Sequence, residues 1–310
     1  MHLRPDHAVR DLPTLHAFIR AHPLGVITTS LPSDNFPTLQ CSHIPWVLDT
    51  ENETEAVQAE DCETEIPSPQ PSQTAPNSST THQPALGVLR GHIARANPQT
   101  AAMIEAVTDG HPATRPSPNA VSASASTSAI GAVLPGEVLI VFTSPVDHYI
   151  TPHFYTSKQV TGKVAPTWNY AAVQVYGRMT VYHESKDDGV GAFLHAQLAD
   201  LARVGEEGVM GYRSGKPNGD FHDGGHDGGG DDGPTPWTIA GAPEEYIALL
   251  KRNIVGMRVE ITRIEGRFKV SQERPVGDRG GVVDGLEKMD GGAAKAMARF
   301  VREGRVLLPE

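Results

Sequence analysis

Between Tyr170 and His183 the chain reads YAAVQVYGRMTVYH, an apolar–polar alternation of period two that lasts longer than any other in the sequence. Successive side chains of a strand point to opposite faces, so this segment suits a half-buried β-strand and would scatter its apolar residues around a helix. A fold that accommodates it is organised around a sheet. Shorter strand signals agree: Gly25–Ser30, Leu39–Asp49, Gly87–His92 and Glu137–Thr143, the last (EVLIVFT) apolar enough to be buried on both faces. Val255–Glu265 and Gly266–Ser271 read as the two arms of a hairpin. Helical periodicity places Leu12, Leu15, Phe18 and Ile19 on one face of Leu12–Ala21. Further helices are expected over Ala94–Val107, Val190–Val204, Tyr246–Asn253, Gly281–Met289 and Ala293–Glu303. Six or seven strands among short helices, with most βαβ crossovers missing, predict an α+β chain that is mainly β. Its expected form is a small barrel with peripheral helices, not a doubly wound sheet.

Three stretches interrupt this pattern: 51–84, 109–135 and 215–236. They lack apolar periodicity and hold much of the Pro, Ser and Gly, so they read as disordered inserts. The first carries seven carboxylates within 51–65 and the third five aspartates within 218–236, with no Lys or Arg in either span. The net charge of −11 over 310 residues therefore belongs to the inserts, and the remainder is close to neutral. Nothing in that remainder reads as a dedicated basic surface for nucleic acid. Without the inserts roughly 225 residues remain, enough for one substantial core. The expected organisation is a single domain over 1–303 and a tail at 304–310. Cys41 and Cys62, the only cysteines, exclude a disulfide scaffold and any all-cysteine metal site. His222, Asp223, His226 and Asp227 have an i, i+4 spacing, but the surrounding glycines forbid the helix a metal site would need, so no metal is expected. No apolar run approaches the roughly 20 residues that cross a bilayer, and the first residues have no leader-like apolar core. A soluble cytoplasmic protein without membrane contact is expected, or a nuclear one if the chain is a eukaryotic regulator.

Five stretches carry a resemblance: CSHIPWVLD (41–49), LRGHIARANPQ (89–99), EVLIVFTSPVDHYITPHFY (137–155), APTWNYAAVQVYGR (165–178) and IVGMRVEITRIEGRFKVSQERPVGDRGGVVDGL (254–286). In this order they resemble the PaiB-type negative transcriptional regulators, which are FMN-binding split-barrel proteins. The resemblance runs from residue 1 to about 303 and is broken only by the three inserts. It implies a six-stranded FMN-binding split barrel, FMN as cofactor, a homodimer, and nucleic acid as a partner on family grounds alone. The chain departs from the family where it has SQER for SQNR, and in SPVDHYITPHFY, where the usual segment is closer to GPHAYISPSWY.

The residues of these stretches suggest a site. Lys269 and Ser271 would alternate onto one strand face and grip one anion together, with Arg90 completing a charge-assisted clamp. By resemblance, the strand end at Thr143 and Ser144 would offer hydroxyls and backbone N–H groups to the FMN phosphate. The alternative for Lys269 is an ordinary solvated surface lysine. His92, Arg95 and Asn97 either line a flavin edge or satisfy buried backbone groups. Trp168 and Tyr170 share one strand face, and Thr167 and Asn169 the other. Trp168 would stack on the isoalloxazine or pack a dimer interface, and Asn169 would bond the ring. His43 reads as a strand histidine bonded to a neighbouring carbonyl. No acid, base or nucleophile set is legible, so the catalytic residues stay unassigned. A flavin-dependent oxidoreductase and a haem-binding or haem-degrading protein on the same barrel stand as alternatives to the regulator.

Overall fold

In the computed structural model, which describes residues 1–50, 86–108, 130–213 and 234–308, β1 (Ala8–Val9) is followed by helix α1 (Leu12–Ala21) and strands β2 (Leu24–Ser30), β3 (Leu39–Pro45), β4 (Val47–Asp49) and β5 (Val88–Ala94). Helix α2 (Pro98–Thr108) precedes β6 (Ala132–Thr143) and β7 (His148–Ile150). Short helix α3 (Ser157–Thr161) leads into β8 (Thr167–Tyr182), and α4 (Asp188–Arg203), a π-helical turn (Val204–Val209) and α5 (Glu244–Arg252) lead into β9 (Ile254–Lys269). Helices α6 (Val276–Glu287) and α7 (Gly292–Glu303) come last.

The strands form an antiparallel sheet in the order β3-β2-β6-β8-β9-β5-β4, with β1 added on β9 and β7 on β8. The path is not closed by hydrogen bonds. Its two ends, β3 and β4, are nevertheless consecutive in the chain and joined by Trp46. One stretch of backbone thus pairs with β2, bends at Pro45–Trp46, and then pairs with β5 on the far side. The result is a split barrel. Trp46 is 1% exposed and lies in the seam. A Cβ at Gly91 would stand 2.9 Å from its ring, and one at Gly25 3.0 Å from it and 2.7 Å from Phe142. The two glycines leave the slot that the indole fills. Near the start of α2, Gln99 Nε2 donates to Gln40 O (3.2 Å) and Thr29 Oγ1 (3.0 Å), so it lies against β3 beside the seam.

The long alternation becomes β8, with Val173, Val175, Met179 and Val181 inside the barrel and fully buried. The expected hairpin over 255–271 does not form; Ile254–Lys269 is one strand of 16 residues. Gly266 is not a turn residue. A Cβ there would come within 2.3 Å of Leu15 Cδ2, so the glycine is where α1 docks onto the sheet. The real irregularity is a bulge, where the β8–β9 register shifts between Tyr176 and Gly177 and a Gly177 Cβ would meet Glu260 O at 2.4 Å. Helix α2 begins at Pro98 and not at Ala94, because Asn97 caps it: its Oδ1 accepts from Gln99 N (2.9 Å). The segment expected to be an insert over 109–135 ends sooner, since β6 starts at Ala132 and Leu134 is 4% exposed in the core. The other insert positions, with Cys62 and the His222–Asp227 group, lie outside the described residues, apart from the last residues of 215–236. Helices α6 and α7 pack Val282, Leu286, Met297 and Val301 into the same core as the strands.

Candidate strand-end anion site

Residues paired across antiparallel strands share a face. Lys269 pairs with Tyr170, Arg267 with Ala172, and Thr143 with Ala172 from the opposite side. The intervening Ala171, Val173 and Phe268 belong to the core, so Thr143, Tyr170, Arg267 and Lys269 stand on the outer face. Trp168 joins them, about half exposed, with Nε1 donating to Asp147 Oδ1 (2.8 Å) and its ring edge-on to Tyr149 at 6.0 Å. Trp168 and Tyr170 therefore share a face as the alternation requires. Thr143 and Lys269 flank β8, roughly 12 Å apart by strand spacing and rise.

Lys269 closes β9. Its Nζ donates to Thr167 Oγ1 and, at 3.0 Å, to Trp168 O just past the end of the β8–β9 ladder. Burial holds the ammonium below the usual lysine range; Glu273 opposes that fall, while the guanidiniums of Arg267, Arg274 and Arg4 add to it. Glu273 is itself engaged by His7 Nε2 at 3.1 Å, and His7 is 1% exposed. Three guanidiniums and an ammonium thus gather at this strand end with two carboxylates, Glu273 and Asp6, the latter 3.5 Å from Arg4.

The other expected members lie elsewhere. Ser271 does not share a face with Lys269: the strand has ended, Ser271 takes φ +61°, and its buried hydroxyl accepts from Asn169 Nδ2 at 2.9 Å. Asn169 is fully buried and faces the core, away from Lys269 and Trp168, so its amide cannot meet a ring lying on the outer face. Ser144 is also buried; its N–H donates to Ala171 O and its hydroxyl accepts from Val146 N, both at 3.0 Å. Of the Thr143–Ser144 pair only Thr143 remains available.

Arg90 belongs to a different place. It pairs with Arg258 in the β5–β9 register, eleven positions along β9 from Lys269, on the order of 30 Å. Its Nε and Nη2 donate to Asp49, and Nη2 also lies 2.8 Å from Asp200 of α4. The hydrogen bond to Asp49 is the main cause that raises its pKa further. It cannot complete a clamp with Lys269. It instead joins β4, β5 and α4 beside a cavity of about 850 Å³. His92 shares Arg90's strand face and is half-buried, and burial lowers its pKa. Arg95 binds the carbonyls of Arg252, His183 and Ile254, and Asn97 binds Ser42 and caps α2. Arg95 and Asn97 thus satisfy backbone and a helix end, whereas His92 Nδ1 is buried without a hydrogen-bond partner. His43 is exposed on β3. Arg267 and Thr167 were not among the expected site residues, although Arg267 lies two places before Lys269 and so shares its face in any strand. Among the described residues no group of three or more His, Cys, Asp and Glu could hold a metal, and no helix is long and apolar enough to cross a membrane.

The profile of the family described as "Putative FMN-binding domain" matches residues 1–263. An uncharacterized protein of Aspergillus fumigatus is 42% identical over 304 residues, covering 98% of this chain and 97% of its own length. A second, from Emericella nidulans, is 38% identical over the same shares of both chains. The protease synthase and sporulation protein PAI 2 of Bacillus subtilis is 25% identical over 167 residues, which are 54% of this chain and 63% of that protein.

Proposed function

The chain belongs to the FMN-binding domain family, and on that premise we propose that it is a PaiB-like negative regulator of gene expression. In this reading it senses or uses FMN whose phosphate sits at the Lys269 end of the outer β8–β9 face. The observation that carries the site is the surplus of positive charge at that strand end: Lys269, held by Thr167 Oγ1 and Trp168 O, is partly desolvated among Arg267, Arg274 and Arg4, against the two carboxylates Glu273 and Asp6. A phosphate carries close to two negative charges and accepts several hydrogen bonds, so it would relieve that surplus. The residues present fit the group. Thr167 Oγ1 and Trp168 O fix the ammonium in place, Thr143 offers a hydroxyl across β8, and Trp168 and Tyr170 offer aromatic surface on the same face. When bound, FMN supplies reversible hydride and electron transfer.

The regulatory part of the reading draws on the likeness to the Bacillus subtilis sporulation protein. It is assigned an indirect route, through the flavin state or a partner. Arg258 and Arg263 of β9 are paired with carboxylates, Glu260 at 2.6 Å and Glu265 at 2.9 Å, which leaves only the Arg267–Lys269 end of the strand uncompensated and no long basic row for a DNA backbone.

Titration of the full chain with FMN and riboflavin tests the site. Lys269→Ala should weaken FMN roughly ten- to a hundredfold, the worth of one charge-assisted hydrogen bond, and leave riboflavin affinity unchanged. Absence of FMN binding, or an unaltered FMN affinity in Lys269→Ala, would overturn it. Transcript levels in cells carrying wild type or Lys269→Ala test the regulatory role, which fails if removal of the whole gene changes no transcript.

A further inference from the structure

Resting on the reading that the Lys269 strand end receives the FMN phosphate, we propose that Arg4 is a second cation of that site. It is delivered by an N-terminal strap laid over β9, and it strengthens the preference for the phosphorylated flavin over riboflavin. The strap is visible in its ties. Met1 N bonds Glu265 Oε2 at 2.9 Å, and Arg267 Nη1 donates to His2 O at 3.0 Å. Glu265, Arg267 and Lys269 are alternate residues of β9, hence one face. The first residues therefore run along the outer face from Glu265 toward Lys269. The chain then turns at Pro5–His7, where His7 N and Ala8 N both donate to Arg4 O at 3.0 Å. It returns as β1, with Ala8 opposite Arg267. Gln272 Nε2 holds Asp6 O at 2.9 Å, and Glu273 holds His7, so the turn is pinned beyond the strand end as well. Arg4 sits at the apex of this wrap.

The other guanidiniums near Lys269 are engaged. Arg267 is tied to His2 O and lies over the Tyr170 ring at 5.7 Å, and Arg274 lies over the Tyr155 ring at 4.6 Å and 3.5 Å from Glu273. Arg4 has a single 3.5 Å contact with Asp6, both side chains about half exposed. Such a pair holds its partners weakly and leaves the guanidinium able to turn. Its planar fork matches two phosphate oxygens, where the lysine ammonium supplies a point charge.

The test compares FMN and riboflavin affinities of wild type, Arg4→Ala, Arg4→Lys and Lys269→Ala by fluorescence titration, with thermal melting as the check on folding. Arg4→Ala should weaken FMN about three- to tenfold, less than Lys269→Ala because the residue is exposed, with riboflavin unchanged and part of the loss recovered in Arg4→Lys. An FMN affinity equal to wild type in Arg4→Ala, beside a clear loss in Lys269→Ala, overturns the role of the strap and leaves the phosphate site standing. Equal weakening of both flavins in Arg4→Ala overturns it too, as a structural effect. If Lys269→Ala also fails to separate FMN from riboflavin, the phosphate reading fails and the role of Arg4 fails with it.

Discussion

Lys269 carries two opposing demands. Burial favours its neutral form, while an anion needs it charged. Because burial lowers the pKa, the ammonium is lost at a pH below the ordinary lysine range. FMN affinity, expressed relative to riboflavin, should therefore fall as alkaline pH is approached, and Lys269→Arg should remove that fall because a guanidinium stays charged. An affinity ratio flat to the same pH in both proteins would contradict the role. Arg90 answers the complementary question. It is largely buried between two half-exposed carboxylates, so Arg90→Ala should lower stability by about 1–2 kcal/mol in urea unfolding. It should also leave FMN affinity unchanged, which a titration of the same variant checks. From sequence, Lys269 and Arg90 look alike: each is a cation on a strand within a family motif. What separates them is register along β9, which spacing in the chain does not encode. Ser271 departs from the face of Lys269 for a local reason, since alternation holds only while the strand continues, and a left-handed residue ends it. Arg4 carried no signal at all, because only the tertiary wrap brings residue 4 to residue 269.

At the scale of elements, alternation was a sound guide and glycine a poor one. β8 and α1 were legible because their periodicities are long and matched by burial. The glycine at 266 suggested a turn but serves as a docking notch. A side chain there must displace Leu15, so Gly266→Ala should cost roughly 1–3 kcal/mol by overpacking while far-ultraviolet circular dichroism keeps its strand signature. A true hairpin turn would accept alanine far more easily unless it needed positive φ. Trp46 makes the converse prediction. It fills the seam between Gly25 and Gly91, and Trp46→Ala should lose about 3–5 kcal/mol, measured by denaturant midpoint at constant slope. Its importance was hidden in the sequence, where Pro45 within CSHIPWVLD marks an irregularity but does not show that the two halves pair at opposite ends of the sheet.

For the whole molecule, the pairing registers assemble one broad outer face from β3, β2, β6 and β8. Leu24 and Leu39 are exposed on it, and Val26, Val141, Leu139 and Tyr176 are half-buried. We propose that a second copy covers this face about a two-fold axis. The strand row that meets the partner is Tyr170, Gln174 and Tyr176, while Val173 and Val175 between them point into the barrel. Light scattering should give about twice the chain mass of 33.2 kDa, and Leu39→Glu, an exposed position, should shift it toward one chain without lowering the melting temperature. A single-chain mass for the wild type would remove the proposal. The seam closed by Trp46 has one more consequence. In an open sheet the two outermost strands present unpaired N–H and C=O groups that can recruit strands from other molecules. Here those strands are the two halves of one bent segment, of seven and three residues, and Gln99 already holds a carbonyl of β3. Among the described residues the split barrel thus ends in a three-residue strand on one side and, on the other, in a strand whose edge α2 already engages, which blunts the ladder on which foreign chains could add in a way that strand order alone would not reveal.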